Sequence, residues 1–155
     1  MGPLVSDEQL RRVTGYLDAG KADGATALTG GKRHGETGYF VEPTVITNTR
    51  RDMSIVREEI FGPVVVAEAF DTLDEIAAVA NDSDYGLGAG IWTKDISKAH
   101  ALAKKLRAGT VWINCYNVFD AALPFGGYKQ SGWGREMGHA ALEAYTEVKA
   151  VTTQL

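Results

Sequence analysis

The most regular pattern along the chain is helical, with apolar side chains recurring every three or four residues in three segments. This spacing places the apolar residues on one face of an α-helix. Residues that suit an N-cap precede the first two segments, Ser6 before the first and Asp71 or Thr72 before the second. Gln9, three residues after Ser6, fits a capping box. Helices are therefore predicted at residues 7–22, 72–80 and 96–106.

Short runs of apolar and β-branched residues lie around these helices and predict strands. Pro43 interrupts the second run, which favours an edge or bent strand there because proline cannot donate to a hydrogen-bonded ladder. A helical turn is expected at residues 51–55 and a short helix near residues 137–144. Strands are predicted at residues 25–28, 39–46, 64–70, 86–92, 111–113 and 145–153.

The order of elements between residues 64 and 113 is strand, helix, strand, helix, strand. This alternation is typical of an α/β fold with a largely parallel sheet and right-handed crossovers. Ligands bind such sheets beyond the carboxyl ends of the strands. The last strand, residues 145–153, has no local partner, so we expect it to pair with a distant strand or with another chain.

The composition narrows the class of protein. A chain of 155 residues that is 45% hydrophobic and 23% charged can form one sizeable core. The net charge of −4 and the absence of a Lys/Arg-rich run argue against nucleic acid as a partner. No apolar run reaches membrane-spanning length, and residues 1–10 do not form a signal peptide. A cytoplasmic protein without a membrane partner is expected.

Several motifs resemble catalytic signatures and fail on context. Gly86, Gly88 and Gly90 open a strand, whereas the glycines of a dinucleotide fingerprint follow a strand and open a helix. Ser131 lacks the glycine two residues before it that a nucleophile elbow requires, since Lys129 stands there. The three histidines have no spacing that builds a metal site or a triad. No metal is therefore expected.

Cys115 is the single cysteine, which excludes an intrachain disulfide and a multi-cysteine metal site. It follows an apolar strand, where α/β enzymes place reactive groups. No His or Lys stands near it in sequence to activate a thiolate, so a cysteine that packs as a small apolar residue is favoured.

Residues 114–134 form a long irregular stretch that is rich in aromatic side chains. Disordered segments lack aromatics, so an ordered loop is expected. Two interpretations stay open. The loop lines an apolar pocket, or its aromatic rings only pin it onto the core.

Two adjacent carboxylates, Glu58 and Glu59, run directly into an apolar strand through Phe61, Gly62 and Pro63. A surface turn does not need a phenylalanine, and a buried strand does not accept a carboxylate. The local pattern therefore does not explain why a carboxylate stands at the mouth of this strand.

Taken in order, the motifs of this chain resemble those of the NAD(P)-dependent aldehyde dehydrogenases. They are EEIFGPV, NDSDYGLGAGIWTKD, GTVWINCYN and LPFGGYKQSGWGRE, with GYFVEPTV and the opening GPLVS as further matches. Each motif alone is a modest signal, whereas the ordered set is highly specific and covers essentially the whole chain.

The resemblance is to the C-terminal part of such an enzyme. It implies a three-layer, mostly parallel open α/β sheet with flanking helices at residues 1–144, as a portion of the catalytic domain. It also implies an oligomerisation strand or tail at residues 145–155. The family's catalytic cysteine, general-base glutamate and main nucleotide-binding segments match no residue here. We therefore expect a fragment without activity on its own. The alternative is a stand-alone binding or assembly module that keeps the fold and lacks the chemistry.

The resemblance also implies roles for individual residues. Glu59 matches the carboxylate that binds the nicotinamide-side ribose of NAD or NADP, and Phe61 matches the ring beside it. Asn117, Phe119 and Phe125 match positions that line the aldehyde pocket. No role follows for Glu58, which we expect to be solvated.

The implied reaction oxidises an aldehyde to a carboxylic acid, with an aldehyde substrate as the small-molecule partner. Phe119 and Phe125 favour an apolar or aromatic aldehyde. A betaine-type aldehyde stays open as a second substrate class, because aromatic rings attract quaternary ammonium groups. A homo-oligomer formed through the C-terminal strand is expected.

Overall fold

The computed structural model describes residues 1–155 and divides into two compact units, Met1–Phe70 and Asp71–Leu155. The first unit holds α1 (Asp7–Ala22), β1 (Thr26–Thr29), β2 (Thr44–Thr47), α2 (Ser54–Arg57) and β3 (Val64–Val66). The second holds α3 (Leu73–Asn81), β4 (Gly88–Ile91), α4 (Ile96–Lys105), β5 (Thr110–Ile113), a short 3-10 helix (Lys129–Ser131) and α5 (Ala140–Glu143).

Helix α1 has the bounds predicted from its sequence pattern. The hydroxyl of Ser6 accepts a 3.2 Å hydrogen bond from the backbone N–H of Gln9, which caps the helix as expected. Two acidic residues in the first turn and Lys21 in the last complement the helix dipole. The buried face of the helix consists of Leu10, Val13, Leu17 and Gly20.

The first unit contains a three-stranded sheet in the order β1-β2-β3. Strand β2 pairs antiparallel with β1 and parallel with β3. Helices α1 and α2 and the strands enclose one apolar cluster, because their buried faces all point into it. The buried members of this cluster are Leu10, Val13, Leu17, Val41, Ile46, Met53, Ile55 and Ile60.

The strand predicted at residues 39–46 is Thr44–Thr47 in the structure and lies at the centre of this sheet. The edge alternative was therefore wrong, and the bent alternative stays a prediction. Strand β2 begins at Thr44, one residue after the proline, and the ladder therefore never requires the missing N–H of Pro43. The backbone N–H of Thr44 donates to the carbonyl of Pro63 at 2.9 Å, which aligns β2 with the segment that leads into β3.

Strand β3 is shorter than the predicted strand at residues 64–70. Its last ladder contact is the hydrogen bond from Ala67 N–H to the carbonyl of Ile46, at 2.8 Å. Its partner β2 ends at Thr47, so no strand remains to pair with residues beyond Ala67.

The second unit contains two capped helices and a parallel strand pair. Thr72 and Glu75 form a reciprocal capping box at the start of α3. Asp95 caps α4 through a 3.0 Å hydrogen bond from the backbone N–H of Lys98. Strands β4 and β5 pair in parallel, with Ile91 opposite Ile113. The buried members of the apolar cluster in this unit are Ala77, Ile91, Ala99 and Leu102, and Trp112 on β5 is buried as well.

The α/β class expected from the sequence is confirmed, with parallel strand pairs and flanking helices. Strand β3 pairs with β2 in the first unit, while β4 and β5 form a separate two-stranded sheet. Residues 145–155 carry no strand hydrogen bonds within the chain, so their pairing with another chain stays a prediction. None of the helices combines the length and the apolar character that crossing a membrane requires.

Candidate functional site

The connection from α2 to β3, residues 58–63, presents a carboxylate and an aromatic ring on the surface. Glu59 is exposed, and Phe61 exposes 72% of its surface. Ile60, between them, is 8% exposed and packs into the core cluster of the first unit. The buried isoleucine therefore fixes the segment, while Glu59 and Phe61 stay available to a ligand.

Side chains of helix α1 hold this connection by donating hydrogen bonds to the backbone carbonyls of residues 59–61. The side-chain amide of Gln9 donates to the carbonyl of Phe61 at 2.9 Å and to that of Ile60 at 3.3 Å. The guanidinium of Arg12 donates to the carbonyl of Glu59 at 3.2 Å. Carbonyls that would otherwise lack a protein partner are thus satisfied, and the carboxylate of Glu59 is not consumed by these bonds.

Glu58 has a partner that the sequence did not reveal. It is exposed, as expected, and its carboxylate accepts a 2.7 Å hydrogen bond from the hydroxyl of Tyr16. This hydrogen bond raises the pKa of Tyr16 above its ordinary value, with a smaller contribution from burial, while Arg12 acts in the opposite direction. Gln9, Arg12 and Tyr16 are spaced three and four residues apart, so one face of α1 carries all three.

The backbone of the connection is strained at Phe61, whose φ of 57° lies in the left-handed region. A bulky non-glycine residue there costs about 1–2 kcal/mol. Strain of this kind persists only where the surroundings over-determine the conformation, and it concentrates at functional sites. Gly62 follows because a Cβ there would lie 2.7 Å from the fully buried side chain of Val13.

The two predicted pocket phenylalanines lie together in the second unit. The rings of Phe119 and Phe125 meet edge to face, with centroids 5.1 Å apart and an interplanar angle of 85°. This geometry is favourable for aromatic pairs. Asn117 is exposed and left-handed, with φ 55°, on the same loop. The two rings therefore form a continuous apolar surface. Asn117 precedes Phe119 by two residues on the same loop.

Phe125 also lines a cavity of about 400 Å³ in the second unit. Its backbone exchanges two 2.7 Å hydrogen bonds with Glu136, which closes the loop into an isolated antiparallel bridge. Trp133, 99% exposed, and Arg135 line the same cavity. Asn117 and Phe119 do not line this cavity, and Phe119 packs against buried Trp112, so both the pocket-lining interpretation and the pinning interpretation stay predictions.

The structure explains the cysteine and the glycines that resemble catalytic motifs in the sequence. Cys115 is a free, partly buried cysteine. Gly88 and Gly90 lie on β4 beneath large rings. A Cβ at Gly88 would lie 2.9 Å from the ring of Trp112, and a Cβ at Gly90 would lie 2.5 Å from the ring of Trp92. These glycines make room for tryptophans.

Sequence reasoning missed the residues that hold the two surfaces in place. Gln9, Arg12 and Tyr16 share one helical face, so the periodicity of α1 could have grouped them, but nothing local names their partner. Trp112 was interpreted only as an apolar strand residue. A buried tryptophan usually donates its indole N–H to a hydrogen-bond partner, and this property could have indicated that Trp112 binds a neighbouring segment.

The fold and these surfaces define an α/β protein that offers an exposed carboxylate with an adjacent ring, and an aromatic-walled loop. A sequence model described as "Aldehyde dehydrogenase family" matches residues 1–151. The chain belongs to the aldehyde dehydrogenase family. It is 59% identical over 155 residues to DhaS of Bacillus subtilis (strain 168), covering 100% of this chain and 31% of that protein.

Two solved structures are similar over nearly the whole chain. An NAD+ complex of aldehyde dehydrogenase from Bacillus cereus is 60% identical with a TM-score of 0.93, covering 97% of this chain and 31% of that one. A betaine aldehyde dehydrogenase from Staphylococcus aureus in complex with NAD+ is 51% identical with a TM-score of 0.89, covering 94% and 30%. The chain thus spans just under a third of these relatives.

Proposed function

We propose that this chain is the part of an NAD-dependent aldehyde dehydrogenase that anchors the cofactor ribose and walls the aldehyde pocket. The observation that carries the proposal is the outward pair Glu59 and Phe61, set on either side of buried Ile60. It occurs in a chain 60% identical to an aldehyde dehydrogenase solved as an NAD+ complex. The oxidation of an aldehyde to a carboxylic acid is proposed for the complete enzyme.

The carboxylate of Glu59 and the ring of Phe61 fit the nicotinamide-side ribose. An exposed carboxylate can accept hydrogen bonds from two vicinal hydroxyls, and such charge-assisted bonds are stronger than neutral ones. Phe61 would pack its exposed ring beside the sugar and the nicotinamide. NAD, when bound, supplies the hydride acceptor. Glu59 and Phe61 orient it, which is a positioning contribution to the rate.

NAD is favoured over NADP because both similar structures named above are NAD+ complexes. For the substrate, Phe119 and Phe125 support an aldehyde with an apolar or aromatic group, and Asn117 is a further pocket-lining position that gives no such preference. A quaternary ammonium aldehyde is the second candidate, because aromatic faces attract such cations and a relative that is 51% identical is a betaine aldehyde dehydrogenase.

We also propose that these residues alone do not oxidise aldehydes. Cys115, the single cysteine, has the setting of a packing residue, and the sequence pattern assigns it no catalytic role. The nucleophile and the base would then come from the remainder of a full-length enzyme. The alternative is a binding or assembly module that keeps the fold without the reaction.

The decisive experiment is a chimera in which this chain replaces the matching segment of the Bacillus cereus enzyme. We expect the chimera to reduce NAD with an aldehyde and the isolated chain not to do so. Glu59→Gln in the chimera should raise KM for NAD by about ten- to a hundredfold, since it weakens hydrogen bonds to a charged acceptor. The adjacent Glu58→Gln keeps an oxygen acceptor for the Tyr16 hydroxyl, so it is the matched comparison and should raise KM for NAD by less than about fivefold. A folded but inactive chimera, or equal effects of the two substitutions, would overturn the proposal.

We propose that the complete enzyme is a homo-oligomer joined through residues 145–155. Val148 and Val151 are fully or largely exposed there, and exposed apolar side chains on an unpaired segment favour association. Deleting residues 145–155 from the chimera should reduce its sedimentation mass. A monomeric chimera before the deletion would contradict the proposal.

A further inference from the structure

Trp112 joins strand β5 to the loop that follows it. Its side chain is 8% exposed, and its indole N–H donates to the backbone carbonyl of Val118 at 2.8 Å. The same ring contacts Tyr116 at a centroid distance of 5.0 Å and meets Phe119 edge to face at 5.8 Å. One buried residue therefore contacts the loop through a hydrogen bond and two rings.

The surroundings hold the indole in one orientation. Gly88 on the paired strand β4 leaves the space that the ring occupies, since a Cβ there would lie 2.9 Å from it. Asn114, two residues after Trp112, adopts φ 55° and turns the chain back. Its side-chain amide both donates to the carbonyl of Thr93 and accepts from the N–H of Thr93, each at 2.9 Å. The end of β5 is thus fastened to the end of β4 before the loop begins.

The loop conformation depends on this support. Asn117 is a second left-handed residue, with φ 55°, a conformation that asparagine adopts more readily than other non-glycine residues. The carbonyl that Trp112 binds belongs to Val118, the residue between Asn117 and Phe119. Loss of that hydrogen bond would free the peptide that sets the direction of both side chains.

We propose that Trp112 is the positioning residue of the aldehyde-pocket wall. Its indole N–H fixes the Asn117–Phe119 segment, and through Phe119 and Phe125 it sets the size of aldehyde that fits. The inference deepens the proposed function and rests on it for the substrate. Trp112 acts through the loop and has no assigned contact with the reacting atoms.

The first test measures the isolated chain and does not depend on activity. In hydrogen-exchange NMR, the indole N–H of Trp112 should exchange about tenfold or more slowly than that of the exposed Trp133, because a buried donor is engaged. Trp112→Phe should speed amide exchange across residues 115–119. Trp92→Phe should not, because the Trp92 ring packs over Gly90 of β4 and meets the loop only through a 6.3 Å ring contact with Tyr116. An unprotected Trp112 indole, or equal exchange in the two variants, would overturn the positioning role.

The second test measures specificity in the chimera. Trp112→Phe should raise KM for benzaldehyde by about tenfold, leave KM for acetaldehyde nearly unchanged and alter kcat by less than about twofold, as expected when uniform binding to one substrate group is lost. Equal losses for both aldehydes would overturn the specificity role. A chimera that is inactive before substitution would refute the proposed function, and the exchange measurements would still decide whether Trp112 positions the loop.

Discussion

The hydroxyl of Tyr16 donates a 2.7 Å hydrogen bond to the carboxylate of Glu58, linking α1 to a residue 42 positions further along the chain. Glu58 is the neighbour of the proposed ribose anchor Glu59, whose backbone carbonyl accepts from Arg12 on the same helix face. The two adjacent glutamates are thus held by α1 in different ways. Glu58 ties the connection to α1 by its side chain, whereas Glu59 is tied by its backbone carbonyl and its side chain stays exposed.

Removing the Tyr16 hydroxyl tests this arrangement. Tyr16→Phe should lower the free energy of unfolding by no more than about 1 kcal/mol, because an exposed hydrogen bond contributes little. The chimera carrying it should nevertheless show a KM for NAD raised by about two- to fivefold, because the anchor loses preorganisation. Tyr39→Phe, in the same unit, is the control. An unchanged KM for NAD would show that the Tyr16 bond does not position the anchor.

The same hydrogen bond predicts a dependence of stability on pH. The pKa of Tyr16 is raised in the folded chain, first by the bond to Glu58, so the folded state holds its phenolic proton more tightly than the unfolded state. The contribution is fully present below about pH 10, the ordinary tyrosine pKa, and is lost as the pH rises through the folded value. Urea unfolding of the wild-type chain and of Tyr16→Phe should therefore differ below pH 10 and converge as the pH rises through the raised pKa of the folded state. Parallel curves would contradict the assignment.

The helices were predictable from the sequence because their signals are local. Helix α1 spans the predicted residues 7–22, and the predicted 72–80 and 96–106 correspond to Leu73–Asn81 and Ile96–Lys105. Apolar periodicity and N-cap residues act within a few positions of each other. The central position of β2 was not predictable, because it depends on strands that lie far apart in sequence.

The supports of the candidate site were invisible for the same reason. Gln9 binds the carbonyl of Phe61, 52 residues away, and a capping pattern gave that glutamine a local role instead. The left-handed backbone of Phe61 also had no signal, since the sequence places a bulky aromatic where glycine is expected. The residue-by-residue resemblance supplied the proposed roles of Glu59 and Phe61. The hydrogen bonds and the backbone conformation that place these two residues became visible only in the structure.

A buried hydroxyl in the second unit offers a stability test away from both surfaces. The Oγ1 atom of Thr110, at the start of β5, is buried and has no hydrogen-bond partner. An unsatisfied buried polar group costs about 1–3 kcal/mol, and removing it with a group of the same shape can be neutral or stabilising. Thr110→Val should therefore keep the strand and leave the free energy of unfolding unchanged or raised by about 1 kcal/mol. A clear loss of stability would show that the hydroxyl has a partner, such as an ordered water.

The strain at Phe61 predicts an opposition between stability and cofactor binding. The ring is 72% exposed, so it adds little to the core, while φ of 57° costs about 1–2 kcal/mol. Phe61→Gly and Phe61→Ala both remove the ring, but only glycine accepts the left-handed backbone without strain. The glycine variant should therefore be more stable than the alanine variant by about 1 kcal/mol in urea unfolding. In the chimera both variants should bind NAD more weakly, by a similar factor, in fluorescence titration. Equal stabilities would remove the argument from strain. Undiminished NAD binding would show that Phe61 is not the ring beside the ribose, whatever the stabilities.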